Sequence, residues 1–174
     1  MIKWAYILVG ENNTGKTTLQ KEIISLVAFA DYEKLKCNLL FNVITPIGSK
    51  NTKTISIMNR SFQEKLGDYQ SLPNFFNSHF QEADACILSS HIAEAKYKAT
   101  ITDMIVELKK RFYNVCGVFF ENSISHDKEA NQEIALLDWD EKYSIKNPVV
   151  DNDSWQHYIR VGAVELTNHI LSKV

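Results

Sequence analysis

Residues 10 to 17, Gly10-Glu11-Asn12-Asn13-Thr14-Gly15-Lys16-Thr17, follow the spacing G-x-x-x-x-G-K-[ST]. Glycines let a short backbone curl until successive N–H groups point inward at an oxyanion. A lysine at the end of the curl adds a point charge, and a hydroxyl beside it is a hard oxygen suited to Mg²⁺. Together these groups suit a nucleoside triphosphate, with ATP as the expected ligand and Mg²⁺ as its companion. Lys16 reaches the β- and γ-phosphates in this reading, and the Thr17 hydroxyl takes one Mg²⁺ position. Backbone N–H groups of residues 12 to 17 surround the β-phosphate. Gly10, Glu11 and Thr18 complete the expected nucleotide-binding set.

Such a loop needs rigid elements on both sides. Trp4-Ala5-Tyr6-Ile7-Leu8-Val9 is an apolar, aromatic run that predicts a buried strand. Residues 16 to 30 predict a helix whose positive end adds to the pull on an anion. Strand, loop and helix in that order is the setting the motif requires.

The rest of the chain alternates in the same way. Residues 37 to 44 predict a second strand, ended by Pro46 and Gly48, and polar residues 49 to 53 a turn. Residues 54 to 58 predict a third strand. Residues 59 to 71 are polar and without clear period, and residues 72 to 82 predict a short helix. Residues 85 to 88 predict a fourth strand, run out by Ser89-Ser90-His91. Tyr97, Ile101, Met104, Ile105, Leu108 and Phe112 recur at helical spacing within residues 93 to 112. Residues 115 to 120 predict a fifth strand, residues 122 to 133 a polar loop, and residues 134 to 137 a short sixth strand. Trp155, Ile159, Ala163, Leu166 and Ile170 mark a last helix, with Asp153 as its cap. Repeated β-α-β units imply one α/β domain over residues 1 to 174, with a mostly parallel sheet and helices on both faces; the loop's likeness to P-loop nucleoside triphosphatases implies that family's three-layer fold. Ligands of such sheets sit at the carboxyl ends of the strands. That rule selects residues 10–17, 45–53, 59–71, 89–92 and 121–133.

Composition narrows the classes. The chain has 174 residues, 45% hydrophobic and 23% charged, with a net charge of -2. That balance does not ask for nucleic acid or an anionic membrane. Lys96, Lys98, Lys109, Lys110 and Arg111 share one predicted helix, and a solvated helix face accounts for them. Cys37, Cys86 and Cys116 each fall in a predicted strand, as reduced thiols used for packing. No apolar run reaches the roughly 18 residues of a membrane span. The expected location is cytoplasmic, because the first strand begins at residue 4 and leaves no leader.

A second acid beside Mg²⁺ is expected at the end of a neighbouring strand. The third strand instead ends in Asn59-Arg60-Ser61 and the fourth in Ser89-Ser90-His91. Asn59 can accept from a magnesium-bound water, but it brings no charge and cannot act as a base. Glu64, Asp68 and Glu11 are carboxylates that could approach, with a solvated loop as the competing reading for the first two. His91 is placed to sense the γ-phosphate. Arg60 follows a strand aimed at the site, where a guanidinium could grip a second phosphate or an acceptor. A surface arginine is the competing reading.

The loop and the alternating pattern resemble the P-loop nucleoside triphosphatases. Ala83-Asp84-Ala85-Cys86-Ile87-Leu88 and Asn114-Val115-Cys116-Gly117-Val118-Phe119-Phe120-Glu121-Asn122 look like two segments of the ParA/MinD and dethiobiotin-synthetase-like branch. That resemblance implies slow ATP hydrolysis or a nucleotide switch, with a second subunit or a protein partner. It also implies that Asn122 contacts the base. The chain departs from the branch at Glu11, where deviant-loop members carry a lysine, and at Asn59, where an Asp stands. Met58-Asn59-Arg60-Ser61 looks like a segment of nucleoside and nucleotide kinases, which implies an acceptor held by Arg60. An arginine-rich lid of that branch is missing between Ser89 and Val115. Three readings stay open: ATPase or switch with Lys16, Asn59 and Arg60 in the chemistry, small-molecule kinase, and non-catalytic nucleotide-binding module.

Overall fold

Alternation along the first strand sets the architecture. In β1 (Lys3–Val9), Trp4, Tyr6 and Leu8 turn to one face and Ala5, Ile7 and Val9 to the other, all six buried. A strand buried on both faces must be covered by helices above and below. The computed structural model describes residues 2–32, 34–44, 52–92, 97–148 and 154–173.

The sheet also holds β2 (Asn38–Asn42), β3 (Thr54–Met58), β4 (Ala85–Ser90), β5 (Tyr113–Phe120) and β6 (Glu141–Ile145), in the order β2-β3-β4-β1-β5-β6. All neighbours run parallel except β2, which is antiparallel to β3. Residues 43–53 between them are too few for a parallel crossover, which needs a dozen or more residues. The fold is therefore α/β with a six-stranded, mostly parallel sheet.

On one face pack α1 (Lys16–Ala28) and α7 (Trp155–Lys173), through Leu19, Ile23, Ile24, Ile159, Ala163 and Leu166. On the other pack α3 (Leu72–Ser78), α4 (Tyr97–Lys110) and α6 (Lys128–Ala135), through Phe75, Ile101, Met104, Leu108 and Ile134. Each Leu or Ile withdrawn fully from water contributes roughly 1.5–3 kcal/mol. A short α2 (Leu66–Tyr69) and α5 (Glu121–His126) complete the helices described.

Several elements differ from expectation. Residues 122–133 form α5 and α6 rather than a loop, because the Asp127 side chain accepts from Ala130 N at 3.2 Å and starts a helix there. Ile134 and Ala135 close α6 instead of forming a strand, and the sixth strand is β6. Its sequence, Glu-Lys-Tyr-Ser-Ile, is polar because β6 is an edge strand with alternating exposure. β4 continues through Ser89 and Ser90, paired to Leu8 and Val9. The stretch after β3 holds a 3-10 turn (Gln63–Lys65) and α2.

Cys37 precedes β2 and is half-buried, whereas Cys86 and Cys116 are buried within strands; all three are free thiols. Phe112 lies past the end of α4, with φ 63 and 89% exposure, and so leaves the apolar stripe. Pro46, Gly48, Lys96 and Asp153 lie outside the described residues.

Candidate functional site

The carboxyl ends of β1, β3, β4, β5 and β6 meet at one cavity of about 570 Å³. Its walls come from residues 12–18, 59–61, Glu64, Ser89, His91, Asn122, Asn147, Pro148, Trp155 and Ile159. The volume falls within the range of small-molecule sites.

The loop forms the floor. Asn13 and Gly15 both take left-handed conformations, at φ 63 and 96, with Thr14 between them. Left-handed residues set among right-handed ones are the conformations from which anion nests are built. Gly15 is favoured on two counts: its φ disfavours any side chain, and a Cβ there would stand 2.6 Å from Ile159 Cδ1, which would have to shift. α1 begins at Lys16 with no side-chain cap at Gly15, which leaves the first N–H groups of the helix for another acceptor. Gly10 and Glu11 stand behind the floor and do not line the cavity.

Lys16 is only 8% exposed. Its ammonium donates to Gly10 O at 2.5 Å and Glu11 O at 2.7 Å. Burial lowers its pKa from 10.5 to about 8, against the opposing pull of the Glu11 and Glu64 charges. The ammonium also donates to Thr14 Oγ1 at 3.4 Å; a buried ammonium held only by neutral oxygens is costly, and an anion in the cavity would relieve that cost.

Next to it, Thr17 Oγ1 donates to Asn59 Oδ1 at 3.0 Å. The structure thus brings together the two oxygens that sequence placed near a cation. Gln20, on the next turn of α1, donates to Met58 O and Ser89 Oγ at 3.2 Å each. It ties the helix to the ends of β3 and β4 and keeps Asn59 against Thr17. Sequence reasoning did not single out Gln20, because a glutamine in a helix carries no sign of burial.

Beyond Asn59 lies a charged wall. Glu64 Oε1 is 2.8 Å from His91 Nε2, and Glu64 Oε2 is 3.6 Å from Arg60 Nη1. Burial raises the Glu64 pKa, but the His91 hydrogen bond and the His91 and Arg60 charges outweigh it, so the carboxyl sits below its ordinary value. Among the described residues, Glu64 is the one carboxylate on the cavity wall. Asp68 instead turns outward to Lys65 at 2.7 Å. Asp84, in the segment resembling the ParA-like branch, sits at the far end of β4 and accepts from Thr54 N at 3.0 Å.

The opposite wall is neutral. Asn122 and Asn147 both donate to Thr14 O, at 3.5 and 3.0 Å. Each keeps a buried Oδ1 with no partner among the described residues. Pro148 and Trp155 stand beside them. Asn147, Pro148 and Trp155 were not expected here, since the sixth strand was placed at residues 134 to 137 and Trp155 served only to mark the last helix.

The described cations of α4, and Arg111 just past its end, lie away from this cavity. Lys98 pairs with Glu133, Lys109 with Asp138 and Asp140, and Lys110 and Arg111 with Glu107. Among the described residues no three His, Cys, Asp or Glu side chains gather to hold a metal, and no helix is long and apolar enough to cross a membrane.

Compared with known proteins, the chain matches no family model and no curated protein.

Proposed function

We propose that this chain binds a nucleoside triphosphate, ATP in the first instance, together with Mg²⁺, and hydrolyses it slowly as a nucleotide switch. In this reading the domain is a P-loop nucleoside triphosphatase of the ParA-like kind. The observation that carries it is Lys16, buried at the floor of a cavity and held by loop carbonyls where a phosphate would give it a better partner.

The donor set also suits the metal. Mg²⁺ keeps most of its waters and asks for one or two protein oxygens, so a site without clustered carboxylates fits it. Thr17 Oγ1 and Asn59 Oδ1 are such oxygens. When bound, Mg²⁺ neutralises charge on the phosphates.

The chain's own residues divide the work. Loop N–H groups and Lys16 hold the phosphates. Glu64, kept ionised and oriented by His91, accepts a hydrogen bond from an attacking water and positions it. Asn122 Oδ1 and Asn147 Oδ1 accept from an amine on the base, and Trp155 offers a flat face to it. Turnover is slow because Lys16 and Arg60 are the permanent cations on the cavity wall among the described residues, and Arg60, like His91 when protonated, is held by Glu64. A cation from a second subunit or a protein partner would raise the rate.

Arg60 favours a second reading, transfer to a small acceptor, because it borders a neighbouring cavity as well as this one. Incubation with ATP, Mg²⁺ and a nucleoside panel separates the two: a phosphorylated acceptor replaces hydrolysis with transfer.

Calorimetric titration with a non-hydrolysable ATP analogue and Mg²⁺ tests the central claim. Wild type should bind, and Lys16→Ala should weaken binding by about 100-fold, the loss of a charge-assisted contact to phosphate. Undiminished binding by Lys16→Ala would falsify the reading.

A further inference from the structure

A second cavity, of about 510 Å³, opens beside the first and is lined by Lys34, Leu35, Lys36, Cys37, Arg60, Glu64 and Lys65. Arg60 and Glu64 belong to both walls. The partition between them is thin: Asn59 N donates to Cys37 O at 3.0 Å, which joins the floor of one cavity to the rim of the other. We propose that this second cavity is a binding site for a phosphate-bearing small molecule that meets the nucleotide site at Arg60 and Glu64.

Among the described residues, the lining sets four cations against one carboxylate, an unusual balance for a chain whose net charge is -2. Lys65 is already engaged by Asp68, and Arg60 by Glu64. Lys34 and Lys36 have no acidic partner among the described residues. Two ammonium groups with a guanidinium alongside match the double charge of a phosphomonoester better than a single carboxylate. The cavity has the volume of a small-molecule site. That size, with the weakly negative chain, favours a small anion over a nucleic acid strand. The inference rests on the nucleotide reading only for its neighbour's identity; the basic cavity is there in either case. Two sources share the chemistry: inorganic phosphate on its way out, or the phosphate of an organic molecule that approaches Glu64 and Arg60.

Cys37 is the built-in reporter. It lines this cavity and is half-buried, while Cys86 and Cys116 are buried with thiol pKa values raised by desolvation. Iodoacetamide labelling of Cys37, located by mass spectrometry, can be followed in wild type saturated with a non-hydrolysable ATP analogue and Mg²⁺. Inorganic phosphate or glycerol 3-phosphate should slow labelling by about fivefold at millimolar concentration, as expected for charge-assisted contacts in a partly open site. Protection by phosphate alone assigns the site to the leaving anion, and stronger protection by the ester assigns it to an organic ligand. A Lys34→Ala/Lys36→Ala double variant should lose the protection. Lys16→Ala should keep it, so failure of nucleotide binding and failure of this site are read separately. Absence of protection by either probe overturns the proposal, as does protection that survives the double variant. Protection by a short oligonucleotide and not by the small anions overturns it in favour of nucleic acid.

Discussion

Thr17 and Asn59 are 42 positions apart in the chain, yet their side chains meet at 3.0 Å. Their meeting gives the missing strand-end acid a physical address. An aspartate at residue 59 would set a charge beside the Thr17 hydroxyl, where Asn59 offers only a carbonyl dipole. Asn59→Asp should raise ATP turnover by about tenfold through stronger electrostatic support of the metal. Phosphate release at saturating ATP measures it, and an unchanged or lower rate removes residue 59 from the metal site. The charged wall was only partly legible at this scale. Glu64 and Asp68 are equivalent in sequence as carboxylates in a polar stretch. The fold separates them, sending Glu64 to His91 and Asp68 to Lys65.

Legibility at the scale of elements followed burial. β1, β3 and the core of α4 were read closely, because strands covered on both faces and a helix with one apolar stripe leave strong periodic signals. β6, α5 and α6 were misread, because a polar edge strand and short polar helices leave almost none. That miss hid Asn147 and Pro148, which β6 delivers to the cavity. The joint between α1 and α7 carries its own test. Gly15 packs against Ile159 with no room for a methyl group. Gly15→Ala should cost about 1–3 kcal/mol, from φ strain and overpacking together. Urea unfolding measures this. Adding Ile159→Val to Gly15→Ala should recover only the packing share, and full recovery would remove backbone strain from the account.

Across the whole molecule, buried titratable groups pull stability in opposite directions with pH. Burial raises the Cys116 pKa from 9.0 to about 12 and raises Cys86, Tyr6 and Tyr113 as well. Above about pH 9 for the thiols and about pH 10 for the phenols, the unfolded chain releases these protons while the fold retains them, so stability falls. Lys16 runs the other way. Its folded pKa of about 8 lies below the ordinary 10.5, so the unfolded chain holds the extra proton between these values and stability rises. Each contribution changes by about 1.4 kcal/mol per pH unit once it is fully engaged. The melting temperature should therefore rise slightly from about pH 8 to 9, fall shallowly from about pH 9 to 10 and fall steeply beyond, where Lys16 no longer compensates. In Lys16→Met the steep fall should begin near pH 9. Thermal unfolding across that range checks both, and identical profiles would mean that Lys16 is not desolvated in the fold. Sequence by itself determined the alternating α/β plan and the loop at residues 10 to 17, because periodicity and a motif of adjacent residues are local properties. Tertiary structure alone decided which distant side chains share the cavity. Thr17 with Asn59, Glu64 with His91, and Asn122 with Asn147 meet only because parallel strands end together at one edge of the sheet.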